Sequence, residues 1–341
     1  MDTIQFDQQV AVSPGQPPRL TREELANLSD ADLFRHVDAV TAWLAGTFID
    51  TPATAAVQAS MDMTVRYNSA TLPGSKTILA VTGANGAGKS TACHQWSARF
   101  YRAQTADLPR AGRLPQWNPH EGVRADVAPV VWINLQANAK IAELDAQILQ
   151  FLRVGVSGTI RDMTLRAVRA MARHRVKALL IDDVHLLNTR YRNGSDVLDH
   201  LKHLNTELGE IGGTLILVGA NLEQTALPGD PQIATRLRLL RVQPQPVETA
   251  ADRTAWAQTL TAVEQAIFPV LPAAVDGVLA EQHAGLLHEL TGGYLGELVT
   301  LVKHAAIQAT GTRVGTITEQ ILHECPRSVR AVSNLFTRET R

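Results

Sequence analysis

The chain has 341 residues, of which 45% are apolar and 19% charged, and its formal net charge is −1. This composition excludes a chain that is disordered throughout and provides enough apolar residues for two or three packed units. A net charge near zero requires any polyanionic partner to bind a local basic surface. The two cysteines, Cys93 and Cys325, exclude a disulfide framework and lack metal-ligand spacing. No signal peptide or long apolar span is visible, so we expect a cytoplasmic protein without a membrane partner.

The first 70 residues divide into two parts. Residues 1–20 contain three prolines and little apolar pattern, which predicts a flexible arm. Residues 21–70 are predicted to be a helical extension, because Thr21 and Glu24 have capping-box spacing and apolar residues then recur at helical intervals. We expect these helices to pack on the following domain or to extend and grip a partner, and the sequence leaves both possibilities open.

Residues 83–90, GANGAGKS, carry the pattern G-x-x-x-x-G-K-[ST] after a short apolar run that predicts a buried strand and before a predicted helix. Glycines permit the backbone angles that turn successive N–H groups toward an anion, and the helix adds its positive N-terminal end. Lys89 would reach the outer phosphates and Ser90 would ligate Mg²⁺. The sequence therefore predicts a site for ATP and Mg²⁺. Its predicted phosphate-binding residues are Gly83, Ala84, Asn85, Gly86, Ala87, Gly88, Lys89, Ser90 and Thr91.

A later apolar run ends in two carboxylates, Asp182 and Asp183, after an earlier buried strand predicted over residues 127–135. Open α/β sheets place their ligands at the carboxyl ends of the strands. We therefore predict that Asp182 holds Mg²⁺, directly or through water, and that Asp183 orients the attacking water. Hydrolytic P-loop proteins commonly carry Glu at the second position. Because Asp is one methylene shorter, we expect slow, regulatory hydrolysis.

Two further strands are predicted over residues 214–218 and 239–242. The first is followed by Asn221, whose amide would lie beside the γ-phosphate if the strands align. Prolines follow the second and end the domain, and the remaining chain predicts four helices that form a lid. The basic tail is either a solvated segment or a contact to nucleic acid or a partner. The predicted boundaries are 71–247 for the nucleotide-binding domain, 248–325 for the lid and 326–341 for the tail.

The order of these motifs along the chain resembles that of an AAA+ ATPase. A P-loop is followed by an acidic strand, a polar strand end, an arginine before the last strand and a helical lid. In detail the chain resembles the TniB/TnsC family of transposition ATPases, which are relatives of the origin-initiator branch. The resemblance covers residues 51–323. It rests on GANGAGKST (83–91), LLIDDVHLL (179–187), LILVGANLE (215–223), DPQIATRLR (230–238) and TGGYLGELVTLVKHAA (291–306).

This resemblance implies an α/β fold in which a five-stranded parallel sheet lies between helices, with an N-terminal helical extension and a C-terminal helical lid. It further implies an ATP-dependent homo-oligomer, a ring or filament on double-stranded DNA. Such an assembly would hold target DNA and pass it to a transposase, with a target-selection adaptor as a further partner. Asp183 would be the Walker B acidic residue and Asn221 the first sensor. Arg236 would be the finger that reaches the neighbouring subunit's γ-phosphate, with Arg238 or Arg241 as alternatives.

The chain departs from the AAA+ pattern on the third lid helix. Many AAA+ proteins carry an arginine there as a second sensor, whereas residues 293–297 read Gly-Tyr-Leu-Gly-Glu. The lid would therefore close weakly on the nucleotide, or close through backbone contacts at Gly292 and Gly293.

Candidate DNA contacts also follow from the resemblance. AAA+ topology directs the loops after the second strand and after the acidic strand toward a central channel, which makes Lys140, Arg190 and Arg192 candidate phosphate contacts, with Lys202 as a further possibility. The sequence contains no recognisable base-reading module. We therefore expect binding directed at the backbone and independent of sequence.

Two other functions share the core motifs. A signalling NTPase of the STAND class is favoured by the paired aspartates, and a helicase-loading or clamp-loading remodeller would have the same nucleotide site. The arginine near residue 236 favours an assembling regulator over a signalling switch.

Overall fold

A computed structural model describes residues 1–12, 15–110, 112–136, 140–186 and 194–329. The chain forms two compact units. The first comprises Met1–Val12, Val57–Asn85 and Lys89–Val242, and the second comprises Ser13–Ala56, Gly86–Gly88 and Gln243–Arg341. Among the described residues, none of the helices has the length and apolar character needed to span a membrane.

Seven strands belong to the first unit. In chain order they are β1 (Ile78–Thr82), β2 (Gln116–His120), β3 (Val123–Asp126), β4 (Val130–Asn134), β5 (Ala178–Asp182), β6 (Thr214–Gly219) and β7 (Leu237–Arg241). Five of them form a parallel sheet in the order β4-β5-β6-β1-β7, which confirms the predicted five-stranded parallel sheet. The inner strands β1, β5 and β6 are buried along their whole length because helices cover both faces, so they are continuously apolar rather than alternating.

Thirteen α-helices are assigned in the described part of the chain. They are α1 (Thr3–Ala11), α2 (Arg22–Asn27), α3 (Asp30–Gly46), α4 (Pro52–Ala70), α5 (Lys89–Thr105), α6 (Ile141–Phe151), α7 (Ile160–Arg173), α8 (Gly194–Glu210), α9 (Pro231–Arg236), α10 (Ala250–Ile267), α11 (Ala284–Thr291), α12 (Leu295–Gly311) and α13 (Glu319–Glu324). The last four lie where the sequence predicts lid helices. A short π-helix at Val278–Gln282 replaces the first turns of the second predicted lid helix.

Within the arm predicted over residues 1–20, the structure has the ordered helix α1. Asp2 and Gln5 form a capping box at its start, and Phe6 is fully buried. The Asp7 carboxylate accepts two hydrogen bonds from the Arg110 guanidinium, both at 3.0 Å, and one from the Tyr101 hydroxyl at 2.9 Å. The prolines that follow α1 hide this short helix in the sequence, and the ion pair between buried Asp7 and exposed Arg110 holds it to the rest of the first unit.

The predicted N-terminal extension, residues 21–70, divides between the two units. Helices α2 and α3 and the start of α4 belong to the second unit, whereas the rest of α4 belongs to the first. The predicted capping box is present, since the Glu24 carboxylate accepts from the Thr21 N–H at 2.7 Å. The first predicted helix is broken at Leu28, because Ser29 caps a new helix by accepting from the Asp32 N–H at 3.2 Å. In the second unit α3 packs on α12 and contributes Val40 and Leu44 to its core.

The connection after α5 contains the antiparallel hairpin of β2 and β3, although the prolines and arginines of residues 108–118 are typical of a loop. Gly122 lies at its turn with φ 75°. Trp117 anchors the hairpin, since its Nε1 donates to the carbonyl of Arg173 at 3.0 Å. Pro119 and a register shift interrupt the alternation of apolar and polar residues along the hairpin, so no strand pattern is visible in the sequence.

Candidate functional site

The predicted P-loop lies between β1 and α5, as the sequence indicates. Gly83, Gly86 and Gly88 all have positive φ, at 151°, 78° and 91°. A Cβ atom at Gly83 would lie 2.0 Å from the carbonyl oxygen of Val242, whose N–H donates to the Thr82 carbonyl at 2.8 Å. Only glycine fits this close approach of two backbones at the carboxyl edge of the sheet, which is where ligands bind in such folds.

Lys89 begins α5 and is buried, and its Nζ donates to the carbonyl of Ala84 at 2.8 Å. This hydrogen bond holds the Lys89 ammonium beside the loop. Because the lysine side chain is flexible, its ammonium can exchange this carbonyl for a phosphate oxygen. Ser90 follows at the positive end of α5, and its side chain lies close enough to Asp182 to act to lower the pKa of that carboxyl. A hydroxyl and a carboxylate are oxygen ligands of the kind that Mg²⁺ prefers, so this pair fits a Mg²⁺ site.

Asp182 ends β5 and Asp183 directly follows it, but the two residues differ in their surroundings. Asp182 is buried, and this burial raises the pKa of its carboxyl despite opposing hydrogen bonds from Ser90 and from the N–H of Asp183, which donates at 2.8 Å. Asp183 is half-buried and has φ 57°, a left-handed conformation that Asp tolerates better than most residues. The chain therefore turns sharply at Asp183, so the two carboxylates do not follow the simple alternation of a strand.

Thr82, the last residue of β1, connects this strand to the turn after β6. Its hydroxyl accepts from the N–H of Leu222 at 2.8 Å and donates to Oε2 of Glu223 at 2.6 Å. This bond is the main cause that lowers the pKa of the Glu223 carboxyl. Glu223 also lies 3.8 Å from Nε of Arg241. Sequence reasoning missed this chain of contacts, although a hydroxyl at the end of β1 next to the first P-loop glycine was a usable signal.

Asn221 lies in that same turn, where the sequence places the sensor. It has φ 46° and ψ 47°, precedes a 3₁₀ turn and is exposed. The preceding Ala220 donates its N–H to Nδ1 of His185 at 3.3 Å, which links the turn after β6 to the turn after β5. Because Nδ1 accepts here, a neutral His185 carries its proton on Nε2. His185 is a second residue near the site that the sequence did not single out.

The three candidate finger arginines lie at different ends of β7. Arg236 closes α9, is half-buried and donates from Nη1 to the carbonyl of Gln232 at 2.9 Å. Arg238 donates to the carbonyls of Thr235 and Leu237. Arg241 pairs in register with Thr82, at the edge that carries the P-loop, and faces Glu223. Arg236 and Arg238 therefore lie near the start of β7, and only Arg241 lies at its carboxyl end.

In the second unit, the stretch that lacks the sensor arginine makes backbone contacts. The carbonyl of Gly293 accepts from the N–H of Gln245 at 2.9 Å, and the N–H of Gly296 donates to the carbonyl of Gly86 at 3.1 Å. A Cβ atom at Gly296 would lie 2.5 Å from that oxygen. Glycine at this position permits a close backbone approach, which a longer residue would prevent.

The residues predicted to contact DNA differ in their exposure and in their ion pairs. Lys140 is exposed and precedes α6, whereas Arg190 and Arg192 lie outside the described residues. Lys202 forms ion pairs with Asp199 at 2.6 Å and with Asp230 at 3.0 Å, and these contacts raise the pKa of its ammonium. Its charge is therefore balanced within the fold, which makes it a poor phosphate contact.

Comparisons with known proteins identify a matching family and solved structures of similar fold. The family model described as "Bacterial TniB protein" matches residues 41–245. A search of curated protein sequences gave no match. Among solved structures, Cdc6p from Pyrobaculum aerophilum matches at 14% identity with a TM-score of 0.50, covering 85% of this chain and 74% of that chain. The Drosophila ORC bound to DNA matches at 14% identity and TM-score 0.49, covering 98% and 73%. At these identities the likeness to Cdc6p supports the fold alone.

Proposed function

Because the chain belongs to the TniB family, whose model covers more than half of it, we propose that it is an ATP-dependent, DNA-binding regulator of transposition. It is an AAA+ P-loop ATPase by family and fold. In the proposed function it oligomerises on double-stranded DNA and links target DNA to a transposase, with a target-selection adaptor as a further partner. Contacts to the DNA backbone make binding independent of sequence.

The observation that carries the ATPase part of this proposal is the closeness of Lys89 and Ser90 to Asp182, whose pKa both residues act to lower. It places the helix that follows the phosphate loop beside the strand that carries the acidic pair. Bound Mg²⁺ would neutralise charge on the phosphates. Residues 83–91 hold the phosphates through backbone N–H groups, the Lys89 ammonium pairs with them, and Ser90 and Asp182 hold the metal.

The remaining residues act on hydrolysis and assembly. The Asp183 carboxylate orients the attacking water, and the Asn221 amide contacts the γ-phosphate region. Arg236 reaches the nucleotide of a neighbouring subunit, so that ATP supports assembly. Its present hydrogen bond is to a carbonyl of its own helix, which a phosphate can replace. The shorter Asp at position 183 supports slow, regulatory turnover.

Electron microscopy of the purified protein tests the proposal, with double-stranded DNA and a slowly hydrolysed ATP analogue. We expect regular rings or filaments that require both DNA and nucleotide. Lys89→Ala should form none, because it lacks the ammonium that pairs with the phosphates. Nucleotide-bound monomers that ignore DNA would overturn the proposal and favour a signalling switch.

Arg236→Ala separates nucleotide binding from assembly. We expect the variant to bind the ATP analogue with unchanged affinity and to lose nucleotide-dependent assembly, as measured by equilibrium titration and light scattering. Arg35→Ala, which removes an exposed arginine of α3, is the matched control. Assembly that survives in Arg236→Ala would assign the finger to another residue, with Arg238 and Arg241 the next to test.

A further inference from the structure

Helix α7 presents a row of arginines on its exposed side. Arg161, Leu165, Arg169 and Arg173 follow one another at intervals of four residues and are all exposed. Each step of four residues rotates the helix by about 40°, so the row forms one gently turning stripe. From Arg161 to Arg173 the stripe is about 18 Å long at 1.5 Å per residue. This is a local concentration of positive charge in a chain whose formal net charge is −1.

The arginines of this stripe have no salt-bridge partner within the described part of the protein, although Arg161 lies near enough to Asp162 to act to lower the pKa of its carboxyl. There, the side chains of Arg161, Arg169 and Arg173 form no hydrogen bond or salt bridge. Asp162, the only acidic residue of α7, caps the helix and accepts from the N–H and hydroxyl of Thr159 at 3.0 and 2.7 Å. Arg166, by contrast, is used within the fold, since it donates to the carbonyl of Gly155 at 2.7 Å.

The basic surface continues beyond the end of α7. The guanidinium of Arg175 lies 4.1 Å from the ring centroid of Trp117 on the β2–β3 hairpin, which fixes its position. Burial and, to a smaller extent, the nearby charge of Arg175 lower the pKa of Lys177, so a second cation lies close to Arg175. Across the hairpin turn, Arg124 is also exposed, and among the described residues it has no salt-bridge partner.

One end of this surface lies away from the nucleotide site. Lys177 directly precedes β5, whose far end carries Asp182. Five residues of strand span about 17 Å. Arg173, Arg175 and Lys177 are therefore at the amino edge of the sheet, opposite the edge that carries the P-loop, whereas Arg161 lies about 18 Å from Arg173 at the other end of α7. None of these residues is Lys140, which follows the carboxyl end of β4.

We infer that Arg161, Arg169, Arg173 and Arg175, here called the arginine band, bind the phosphate backbone of double-stranded DNA. The inference rests on the proposed DNA-binding function and assigns it a surface. Guanidinium groups bind phosphate oxygens in a bidentate manner and are the side chains of choice for nucleic acid. A protein partner fits less well, because the centre of a protein interface is mostly apolar and Leu165 is the one apolar member of the α7 row.

Salt-dependent binding of a fluorescent DNA duplex tests the band. The full-length chain is titrated with the duplex and a slowly hydrolysed ATP analogue between about 50 and about 200 mM salt. We expect Arg161→Gln/Arg169→Gln/Arg173→Gln to weaken binding at least tenfold. The slope of log K against log salt should fall by roughly 2.7, because each lost phosphate contact removes about 0.9. Arg175 is left unchanged because it packs on Trp117.

Two matched variants serve as controls, one for the loss of charge elsewhere on the surface and one for the loss of the guanidinium groups alone. Arg19→Gln/Arg22→Gln/Arg35→Gln removes the same charge from exposed arginines elsewhere and should keep the wild-type slope. Arg161→Lys/Arg169→Lys/Arg173→Lys keeps the charge and should retain most of the slope.

The outcomes separate this inference from the proposed function. Wild-type protein that fails to bind DNA would overturn both. Wild-type binding with an unchanged slope in the band variant would overturn the arginine band and leave the proposed function standing. A band variant that binds DNA normally but no longer assembles would identify the stripe as a protein interface and would also overturn the inference. In each case, unchanged binding of the ATP analogue shows that the variant is folded.

Discussion

The hydroxyl of Thr82 donates to Oε2 of Glu223 at 2.6 Å and accepts from the N–H of Leu222 at 2.8 Å. Thr82 is fully buried at the end of β1, directly before the P-loop, and Leu222 directly follows Asn221. One hydroxyl therefore fixes the turn that carries the proposed sensor relative to the strand that leads into the phosphate loop. Glu223 extends the connection to Arg241 on β7.

Thr82→Val should slow ATP hydrolysis while leaving nucleotide affinity within a few-fold of wild type. Valine has the same shape but leaves the buried N–H of Leu222 and a carboxylate oxygen of Glu223 without their partner, which costs about 1–3 kcal/mol in the free energy of unfolding. The Asn221 turn then loses its anchor, whereas the P-loop backbone is retained. Steady-state turnover, nucleotide titration and urea unfolding measure the three quantities.

Thr82→Ser is the control for this prediction, since it keeps the hydroxyl and removes one methyl group. It should retain turnover. Equal loss of turnover in both variants would mean that packing of the methyl group, rather than the hydrogen bonds, determines the position of the turn.

The main architecture is predictable from the sequence because its signals are local and strong. Buried parallel strands are continuous apolar runs, and the glycines, Lys89 and Ser90 occur at fixed spacing. What escaped prediction depends on contacts between distant residues. The ion pair of Asp7 and Arg110 holds α1 in the fold, and neither residue indicates the other along the chain.

The site was predictable in part for a similar reason. Parallel strands bring the ends of β1, β5 and β6 to one edge, so the sequence could place Ser90, Asp182 and Asn221 there. It could not show that Asp183 and Asn221 both have positive φ, since these conformations arise from the turns that connect strands to the next elements. The ion pair of Lys202 with Asp230 was equally invisible, because Asp230 lies far along the chain, at the cap of another helix.

Asp183→Asn should abolish most hydrolysis and trap an ATP-bound assembly on DNA. The amide is nearly isosteric with the carboxylate and tolerates the left-handed conformation found at this position, so the fold should be retained. The amide lacks the negative charge needed to orient and activate water. Turnover and the lifetime of assemblies after addition of ATP are the measurements. Unchanged hydrolysis would exclude Asp183 as the water-positioning residue.

Gly83→Ala should abolish nucleotide binding. A Cβ atom there would lie 2.0 Å from the carbonyl oxygen of Val242, so the start of the P-loop must move away from β7. Gly74→Ala is a matched control, because Gly74 also has positive φ, 118°, but no atom lies within 4 Å of the added Cβ. The control should lose about 1–2 kcal/mol of stability through backbone strain and keep its nucleotide affinity. Equal loss of affinity in both variants would contradict the close-contact explanation.

Asp182→Asn should stabilise the nucleotide-free protein at neutral pH. Burial raises the pKa of Asp182 above its ordinary value of 3.8, so the folded state favours the protonated carboxyl. The stability that this residue contributes is fully present below the unfolded pKa and is lost as pH rises through the folded pKa. Asparagine is neutral at every pH and avoids this loss.

The melting temperature of Asp182→Asn should therefore exceed that of the wild type at pH 7, and the difference should vanish below about pH 3, where the wild-type carboxyl is protonated in both states. Asp107→Asn, at an exposed carboxylate, should show no such pH-dependent gain. With Mg²⁺ and an ATP analogue the order should reverse, because only the carboxylate supplies a charged ligand to the metal. A buried acid that lowers the stability of the free protein and raises the stability of the Mg²⁺-bound protein is expected of a binding residue. If Asp182→Asn is less stable than the wild type in both conditions, Asp182 has a structural role instead.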